Sequence, residues 1–361
     1  MSRDVVQYIE RYDPGLFPED LREAYGIDPG TVANLASNEL PFPPPPEVQK
    51  AIADSAQGIN RYPDPSYRSL TESLSDHLGI AEDHIAVAGG CTEVLDCVCK
   101  VFLEPFDQVT IPIPSYSLYI LMSMLREARI SLLDTDREGF RLKGSAVLPR
   151  ALESRVVFLC SPNNPTGQAI DRGELTVILE AGEGAVVVDE AYAEFTSSSA
   201  LDLIDDFPNL LVARSMSKAF GLAGMRVGYL VGNPAIVADI TKVRNPFSIS
   251  SPAVAAALAA LSCPEYYRTI HGEIRRERER LRSFLSEVKG VKVYPSEANF
   301  LMLEIEPPVP DLVSTLARRG ILVRDLEGVP GLEGQFLRVT VGTSQDNDRF
   351  ADNLIEILDL S

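Results

Sequence analysis

The chain of 361 residues carries a formal net charge of −19, and 45% of its residues are hydrophobic. This length is enough for a large core and predicts two domains. The acidic excess argues against a nucleic-acid-binding protein and against binding to anionic membranes, so an anionic substrate would need a local basic site. The amino terminus lacks the apolar region of a signal peptide, and no apolar run approaches membrane-spanning length. We therefore expect a soluble, cytoplasmic protein.

Cysteine and histidine residues are too scattered to suggest a metal site. The five cysteines show no paired spacing of the kind that binds zinc, and the three histidines form no cluster. We predict reduced, buried thiols and no bound metal ion.

The first part of the chain predicts an arm followed by two helices. Residues 1–35 show a weak helical pattern, and the prolines within 40–46 predict extended backbone. Helical patterns follow at 47–57 and 66–78, separated by the turn-forming sequence RYPDP.

From about residue 84 the chain alternates apolar strands with helices. The predicted strands are 85–90, 108–114, 128–135, 155–162, 185–191 and 210–213. This alternation predicts an α/β fold, with a large domain whose mostly parallel sheet is covered by helices on both faces. Ligands of such sheets bind outside the carboxyl ends of the strands, and the polar candidate residues of this chain follow those ends.

A long charged helix is predicted at 252–286. Its sequence EIRRERER indicates a solvent-facing side, because Ile270, Ile274, Leu281 and Leu285 recur beneath it at helical spacing. An RNA-binding role for this charged run is the less favoured alternative in so acidic a chain.

The last part of the chain predicts a small α+β domain. Its predicted elements are strands at 298–305, 321–325 and 335–342, a helix at 310–319, and a closing helix capped by Thr343 or Ser344. We therefore divide the chain into an arm, a large domain and a small domain. The predicted ranges are 1–40 for the arm, which is part of the small domain, 41–250 for the large domain and 251–361 for the small carboxyl-terminal domain.

The segment 210–232 has the most distinctive composition. Lys218 follows a buried strand, where an amine is costly unless it is solvated, paired or used covalently. Ser215, Ser217 and Arg226 offer hydroxyls and a guanidinium, a set suited to a phosphate. A phosphate held beside an amine is what pyridoxal 5′-phosphate requires, because its tail needs an anchor and its aldehyde forms a Schiff base. Taken alone, such a segment more often holds a surface lysine in a Ser/Gly loop. The assignment of a cofactor site therefore depends on the residues at the other strand ends.

Two neighbouring strand ends supply groups for a pyridine ring. Asp189 ends the strand AVVVD, and a carboxylate there could keep the ring nitrogen protonated, although it could also cap a turn. Tyr192 and Asn164 could both hydrogen-bond to the phenolic oxygen of the cofactor, whereas the sequence around Asn164 alone would indicate only a turn.

Two further strand ends complete the predicted site. The turn 89–93 opens a helix, whose backbone N–H groups and Thr92 hydroxyl could bind a phosphate. Tyr116 could stack on the ring, although an aromatic residue there more often belongs to the core. Because five strand ends each supply a different part of one cofactor site, the combination favours a pyridoxal-phosphate protein.

These motifs resemble those of the fold type I pyridoxal-phosphate aminotransferases of class II and, within them, the histidinol-phosphate aminotransferase family. The resemblance covers nearly the whole chain. It rests on YDPG at 12–15, NE at 38–39, RYPDP at 61–65, PNNPTG at 162–167, DEAY at 189–192, SKAFGLAG at 217–224, ANF at 298–300 and LRVTVGT at 337–343.

The resemblance implies a role for each candidate residue. Lys218 would form the Schiff base and carry the proton, and Asp189 would face the ring nitrogen. The other cofactor contacts would be Cys91, Thr92, Ser215, Ser217 and Arg226 on the phosphate, Asn164 and Tyr192 on the ring oxygen, Tyr116 on the ring, and Tyr62 from the other subunit of a homodimer. The substrate would contact Arg338, with Arg324, Tyr12 and Asn38 nearby.

The implied reaction is a ping-pong transamination in histidine biosynthesis. Histidinol phosphate would give up its amino group, leaving imidazole acetol phosphate, and 2-oxoglutarate would accept the group and leave as glutamate. Arg338 could bind the phosphate or the carboxylate, since an arginine fork binds either bidentately. An aminotransferase of aromatic amino acids and a threonine-phosphate decarboxylase-like lyase remain alternatives. A catalytically idle binding protein is disfavoured, because Lys218, Asp189 and Arg338 are all present.

Overall fold

The computed structural model describes residues 3–9 and 11–359, which are organised around two β-sheets. The strands of this described chain are β1 Ala33–Leu35, β2 Ile85–Ala88, β3 Gln108–Ile113, β4 Arg129–Asp134, β5 Val156–Cys160, β6 Ala185–Asp189, β7 Leu210–Ser215, β8 Gly228–Gly232, β9 Val291–Val293, β10 Phe300–Ile305, β11 Ile321–Asp325 and β12 Gln335–Thr340.

The helices surround these sheets. Among the same residues they are α1 Pro18–Tyr25, α2 Pro46–Ser55, α3 Arg68–Leu78, α4 Cys91–Phe102, α5 Leu118–Leu125, α6 Gly144–Ala151, α7 Arg172–Ala181, α8 Pro234–Val243, α9 Ser251–Leu261, α10 Pro264–Leu285, α11 Leu312–Arg318 and α12 Ser344–Asp359. No helix within them is both long enough and apolar enough to cross a membrane.

The larger sheet has the strand order β2-β8-β7-β6-β5-β3-β4. Its neighbouring strands pair in parallel except β8, which runs antiparallel to both β2 and β7. The predicted α/β fold with a mostly parallel sheet is thus confirmed. The sequence does not predict β8, because GYLVG is short, is bounded by glycines and follows directly on the lysine segment.

Both faces of this sheet are buried, because successive side chains of each strand point to opposite sides. In β6, Val186 and Val188 join a core with helices α2, α3, α7 and α9. Ala185 and Val187 join a second core with α4, α5 and α8. This two-sided burial accounts for the continuous apolar runs that identified the strands.

The smaller sheet has the order β1-β11-β12-β10-β9 and packs on α10, α11 and α12. The arm contributes β1, which pairs in parallel with β11, whereas the other strands pair antiparallel. The three-part division of the chain stays a prediction. Helix α9, which follows the predicted boundary at residue 250, packs on the core of the larger sheet.

The charged helix α10 presents one apolar side to the core. Ile270, Ile274, Leu281 and Leu285 are all buried, as predicted from their spacing. One member of the charged run departs from the predicted solvent-facing side. Arg278 is only 7% exposed, because its Nη1 donates a 2.9 Å hydrogen bond to the carbonyl of Ala298.

Candidate active site

A cavity of about 700 Å³ lies at the carboxyl ends of β5, β6 and β7, where these strands meet the small sheet. It is lined by every predicted site residue except Tyr62. These are Tyr12, Asn38, Cys91, Thr92, Tyr116, Asn164, Asp189, Tyr192, Ser215, Ser217, Lys218, Arg226, Arg324 and Arg338. Tyr62 lies outside the cavity, is 80% exposed and stacks on Phe247 with the ring centroids 4.4 Å apart.

Lys218 projects into the cavity from the turn that follows β7. Its Nζ donates a 2.7 Å hydrogen bond to the carbonyl of Ser37, which belongs to the arm. Loss of hydration, together with the positive charges of Arg338 and Arg226, lowers the pKa of Lys218 to about 8, although Glu39 opposes the shift. Near neutral pH a useful fraction of the amine is therefore uncharged and nucleophilic.

One end of the cavity could hold a phosphate. Arg226 Nη1 donates to the Ser217 hydroxyl at 3.2 Å, and the backbone N–H of Ser217 donates to Ser215 Oγ at 3.1 Å. The first turn of α4, with Cys91 and Thr92, lines the same cavity. Hydroxyls, a guanidinium and a helix N-terminus together form an anion-binding site.

Glycines allow this close approach of β8, α4 and Arg226. A Cβ on Gly228 would lie 2.4 Å from the backbone nitrogen of Cys91, and one on Gly90 would lie 2.5 Å from Arg226 Nη2. Arg226 itself has a φ of +55°, which is unfavourable for a residue with a side chain. The surrounding structure therefore holds this guanidinium in place at some conformational cost.

Asp189 is a buried carboxylate at the wall of the cavity, surrounded by neutral donors. Its Oδ2 accepts a 2.7 Å hydrogen bond from the Tyr119 hydroxyl. Its Oδ1 accepts from the Ala191 N–H at 3.1 Å and from Cys91 Sγ at 3.7 Å. Burial raises the pKa of Asp189, and these three hydrogen bonds oppose the increase.

Polar side chains from four segments meet in the same cavity as Lys218. Arg338 Nη1 donates to Asn164 Oδ1 at 2.6 Å, and its Nη2 donates to the carbonyl of Ala36 at 2.6 Å. Asn38 Nδ2 donates to the hydroxyl of Tyr192 at 3.0 Å. Arg338 Nε is buried without a partner, and burial lowers the pKa of this guanidinium. Each terminal nitrogen of Arg338 carries a second N–H group, so the guanidinium has hydrogen-bonding capacity left for a ligand.

The outer part of the cavity contains a second arginine and the arm. Arg324 on β11 lies directly across from Arg338 on β12, so both side chains leave the sheet on the same face and line the cavity. Arg324 Nη2 donates a 2.8 Å hydrogen bond to the carbonyl of Asp13, and Tyr12 is 52% exposed at the rim. This arrangement could bind the distal anionic group of a substrate.

The cavity cations share one feature, which is that they have no acidic partner. Within residues 3–9 and 11–359, no carboxylate forms an ion pair with Lys218, Arg226, Arg324 or Arg338. Unpaired charges of this kind are costly, so the cavity is suited to ligands that carry several negative charges.

Three contributions to the site were missed by sequence reasoning. Tyr119 contacts Asp189 from an apolar helix, and its only sequence signal is its position one helical turn after Tyr116. The carbonyls of Ala36 and Ser37 bind Arg338 and Lys218, and backbone groups carry no sequence signal.

Comparisons with known proteins assign the family. Residues 30–354 match the model of the family described as "Aminotransferase class I and II". The chain is 45% identical to histidinol-phosphate aminotransferase 2 of Archaeoglobus fulgidus, with 98% of this chain and 100% of that one aligned. It is 35% identical to the histidinol-phosphate aminotransferase of Methanocaldococcus jannaschii, over 99% of this chain and 97% of that one.

A solved structure with the same fold supports this assignment. Histidinol-phosphate aminotransferase from Sinorhizobium meliloti, in complex with pyridoxal-5′-phosphate, superimposes with a TM-score of 0.87 and 26% identity, covering 99% of this chain and 98% of that one. Family model, sequence relatives and fold agree along almost the full length. The chain therefore belongs to the class I and II aminotransferases and, within them, to the histidinol-phosphate aminotransferase family.

Proposed function

We propose that this protein is a pyridoxal-phosphate-dependent aminotransferase of histidine biosynthesis, which transfers the amino group of histidinol phosphate to 2-oxoglutarate and forms imidazole acetol phosphate and glutamate. The observation that carries the proposal is the placement of Lys218 in one cavity with Arg226 and Arg338, neither of which has an acidic partner in the described chain. The relative that is 45% identical over 98% of the chain supports the choice of substrate.

The donor set of the cavity fits pyridoxal 5′-phosphate. Asp189 is a buried carboxylate with only neutral partners, so a protonated ring nitrogen would supply the cation that its surroundings lack. Arg226, Ser215 and Ser217, with the first turn of α4, would hold the phosphate. A substitution at Gly90 would push into the space of Arg226, so the fit depends on the backbone there as well.

The chemistry of the reaction is shared between the cofactor and the chain. When bound, pyridoxal 5′-phosphate supplies an aldehyde that takes up the amine and a ring that stores the electron pair left when a proton leaves carbon. Lys218 would accept that proton on Nζ and return it, which its lowered pKa of about 8 favours. Asn164 and Tyr192 would orient the ring through its oxygen, and Tyr116 would pack against its face.

The two arginines across β11 and β12 would select the substrates. Arg338 would bind the anionic group nearer the reacting carbon, since it lines the cavity and its guanidinium fork can hold a carboxylate or a phosphate. Arg324, with Tyr12 and Asn38 nearby, would bind the distal group. One set of side chains would thus serve both the phosphorylated amine and the dicarboxylic acid.

The active site would be shared within a homodimer. Tyr62 is 80% exposed and stacks on Phe247, which leaves its hydroxyl free to reach the cofactor phosphate of a second subunit. The exposed side chain of Ile59 lies close to it in the chain, and together these residues provide apolar area for such a contact. A cytoplasmic location, in keeping with five free thiols, is part of the same proposal.

A subunit-mixing experiment tests the shared site. Lys218→Ala and a Tyr62 variant first shown to be inactive as a homodimer would be unfolded and refolded together; if every Tyr62 variant is fully active, Tyr62 has no role at the site. A mixed dimer then contains one centre with both residues intact, so activity should return to about a quarter of that of the wild type. Absence of any recovered activity, with mixed dimers present, would place both residues in one chain and contradict the proposal.

A panel of amine donors tests the reaction itself. The holoprotein would be given histidinol phosphate, phenylalanine, tyrosine or O-phosphothreonine, with 2-oxoglutarate as acceptor and Lys218→Ala as the control. We expect glutamate to form fastest with histidinol phosphate. Preferential reaction of phenylalanine or tyrosine would favour the aromatic aminotransferase, and release of carbon dioxide from O-phosphothreonine would favour the lyase.

A further inference from the structure

We propose that Tyr119 is a positioning residue that fixes the Asp189 carboxylate for its contact with the ring nitrogen of the cofactor. The inference rests on the proposed function, because it concerns how the chain holds pyridoxal 5′-phosphate. Tyr119 does not reach the cofactor itself. It would act from behind Asp189, through the 2.7 Å hydrogen bond from its hydroxyl to Oδ2.

The packing around Tyr119 fixes the position of its ring and hence of its hydroxyl oxygen. The side chain has no exposed surface. Its ring lies parallel to that of Phe158 on β5, with centroids 5.1 Å apart and planes 1° from parallel. Its edge meets Tyr116, with centroids 5.5 Å apart at 85°. Because two aromatic neighbours fix the ring, the hydroxyl cannot follow a displaced carboxylate, and the carboxylate must align with the hydroxyl.

The other side of the carboxylate is held less firmly. Oδ1 accepts from the Ala191 N–H at 3.1 Å and from Cys91 Sγ at 3.7 Å. A thiol is a weak donor, so most of the side-chain restraint on Asp189 comes from Tyr119. A bond from a neutral donor to a charged acceptor is also among the stronger kinds, which favours the ionised carboxylate.

The titratable groups around Asp189 are otherwise neutral or acidic. Those that interact with it are Cys91, Tyr116, Tyr119, Cys160 and Tyr192 and, by its charge from the opposite side of the strand, Glu190. Since none of these is a cation, a phenolic hydroxyl provides the strongest side-chain support for the negative charge. A Phe at this position would nearly conserve the volume and remove that support, together with the interaction of the hydroxyl with the Cys160 thiol.

The test compares two cofactors that differ at one atom. Pyridoxal 5′-phosphate has a ring nitrogen, whereas its 1-deaza analogue has a C–H at that position and cannot contact Asp189 productively. Dissociation constants of both would be measured for the wild type and for Tyr119→Phe, each in the Lys218→Ala background so that binding is non-covalent. We expect Tyr119→Phe to weaken binding of pyridoxal 5′-phosphate by about tenfold, the typical value of a hydrogen bond to a charged group, and binding of the deaza analogue by less than about twofold.

A matched control separates this effect from general loss of a buried hydroxyl. Tyr67 is 1% exposed, lies outside the cavity, and bonds through its hydroxyl to the backbone of Ile249 at 3.2 Å and 3.0 Å. Tyr67→Phe should leave the affinities for both cofactors unchanged.

The outcomes distinguish this inference from the proposed function. If Tyr119→Phe weakens binding of both cofactors equally, or of neither, Tyr119 is a packing residue and the inference is overturned. The proposed function stands in each of those cases. If the protein with Tyr119 intact fails to bind pyridoxal 5′-phosphate at all, the proposed function is overturned and this inference with it.

Discussion

Two enclosed cations of this protein, Arg214 and Lys218, stand four positions apart and have opposite surroundings. Arg214 lies on the face of β7 away from the cavity, where its Nε donates to Glu190 Oε2 at 2.8 Å and its Nη1 donates to Glu194 Oε1 at 3.2 Å. Burial lowers the pKa of Arg214, but the charges of Glu190 and Glu194 outweigh burial and raise it overall. Lys218 has no such partner, and its pKa is lowered to about 8.

The contrast shows how one pair of strands combines stability with a reactive site. Asp189 and Glu190 are adjacent in the chain, as are Arg214 and Ser215. Because successive side chains of an extended chain point to opposite sides, Asp189 and Ser215 line the cavity, whereas Glu190 and Arg214 lie on the other side. The charges on the far side satisfy one another. The charged groups of the cavity, in contrast, have no ion-pair partner in the protein. They can therefore bind or react with a ligand.

Removal of the reactive cation should have the largest effect on activity and little effect on the fold. Lys218→Ala should reduce glutamate formation by about four powers of ten or more, because the chain loses its proton carrier. The free energy of unfolding of the apoprotein should change by less than about 1 kcal/mol or increase, since the lone amine is poorly hydrated. Denaturant titration beside a turnover assay measures both. Unfolding at much lower denaturant would show that Lys218 is a structural residue.

Breaking the buried ion pair between Glu190 and Arg214 should instead have a large effect on the stability of the fold. Glu190→Gln should lower the free energy of unfolding by about 3–5 kcal/mol, because Arg214 stays buried without its main charge partner. The double variant Glu190→Gln, Arg214→Met should recover much of that loss. Denaturant titration of the three proteins checks this. A loss below about 1 kcal/mol for the single variant would mean that the pair adds little to stability.

The strands of the larger sheet and the end of the cavity that they form were predictable, because both depend on local patterns. Continuous apolar runs identified β5, β6 and β7, and the polar residues after them meet at one sheet edge. In β12, the alternation of side chains places Leu337 and Val339 in the core while Arg338 lines the cavity.

What the sequence could not provide is tertiary pairing. Tyr119 is separated from Asp189 by 70 positions, and within the apolar run LYILM it looks like any core aromatic residue. The bond from Lys218 to the carbonyl of Ser37 spans 181 positions and ends on a backbone atom, whose identity is the same in every residue. The buried ion pair of Glu190 and Arg214 was likewise not predicted from the sequence. Each of these residues is next to a candidate site residue, which was given the functional role instead.

The paired guanidinium groups of the small sheet allow a smaller effect on substrate choice to be tested. Arg324→Ala should lower kcat/KM for glutamate by about tenfold to a hundredfold, the value of a charged hydrogen bond or two, because glutamate has a second, distal carboxylate; kcat/KM for histidinol phosphate, whose one anionic group would be bound by Arg338, should fall by less. Arg338→Lys should impair both substrates, since a lysine cannot reproduce the bidentate fork. Steady-state kinetics of each half-reaction measures the ratio. Equal losses for both substrates with Arg324→Ala would assign it a structural role through its bond to Asp13.

The smallest predicted effect concerns the pH at which the apoprotein takes up its cofactor. Only the uncharged amine of Lys218 attacks an aldehyde, so the rate of covalent attachment should be constant above pH 8 and fall about tenfold per pH unit below it. The absorbance change on mixing apoprotein with pyridoxal 5′-phosphate follows this rate, provided that the rate is corrected for ionisation of the free cofactor.

Two neighbours should move that midpoint in opposite directions, which separates burial from charge as its cause. The positive charge of Arg338 lowers the pKa of Lys218, so Arg338→Gln should shift the midpoint of the rate profile upward. Glu39 raises the same pKa, so Glu39→Gln should shift the midpoint downward. If neither variant moves it, loss of hydration alone sets the reactivity of Lys218. The unpaired arginines would then serve only to bind ligands, and the contrast with Arg214 would reduce to the presence or absence of a carboxylate.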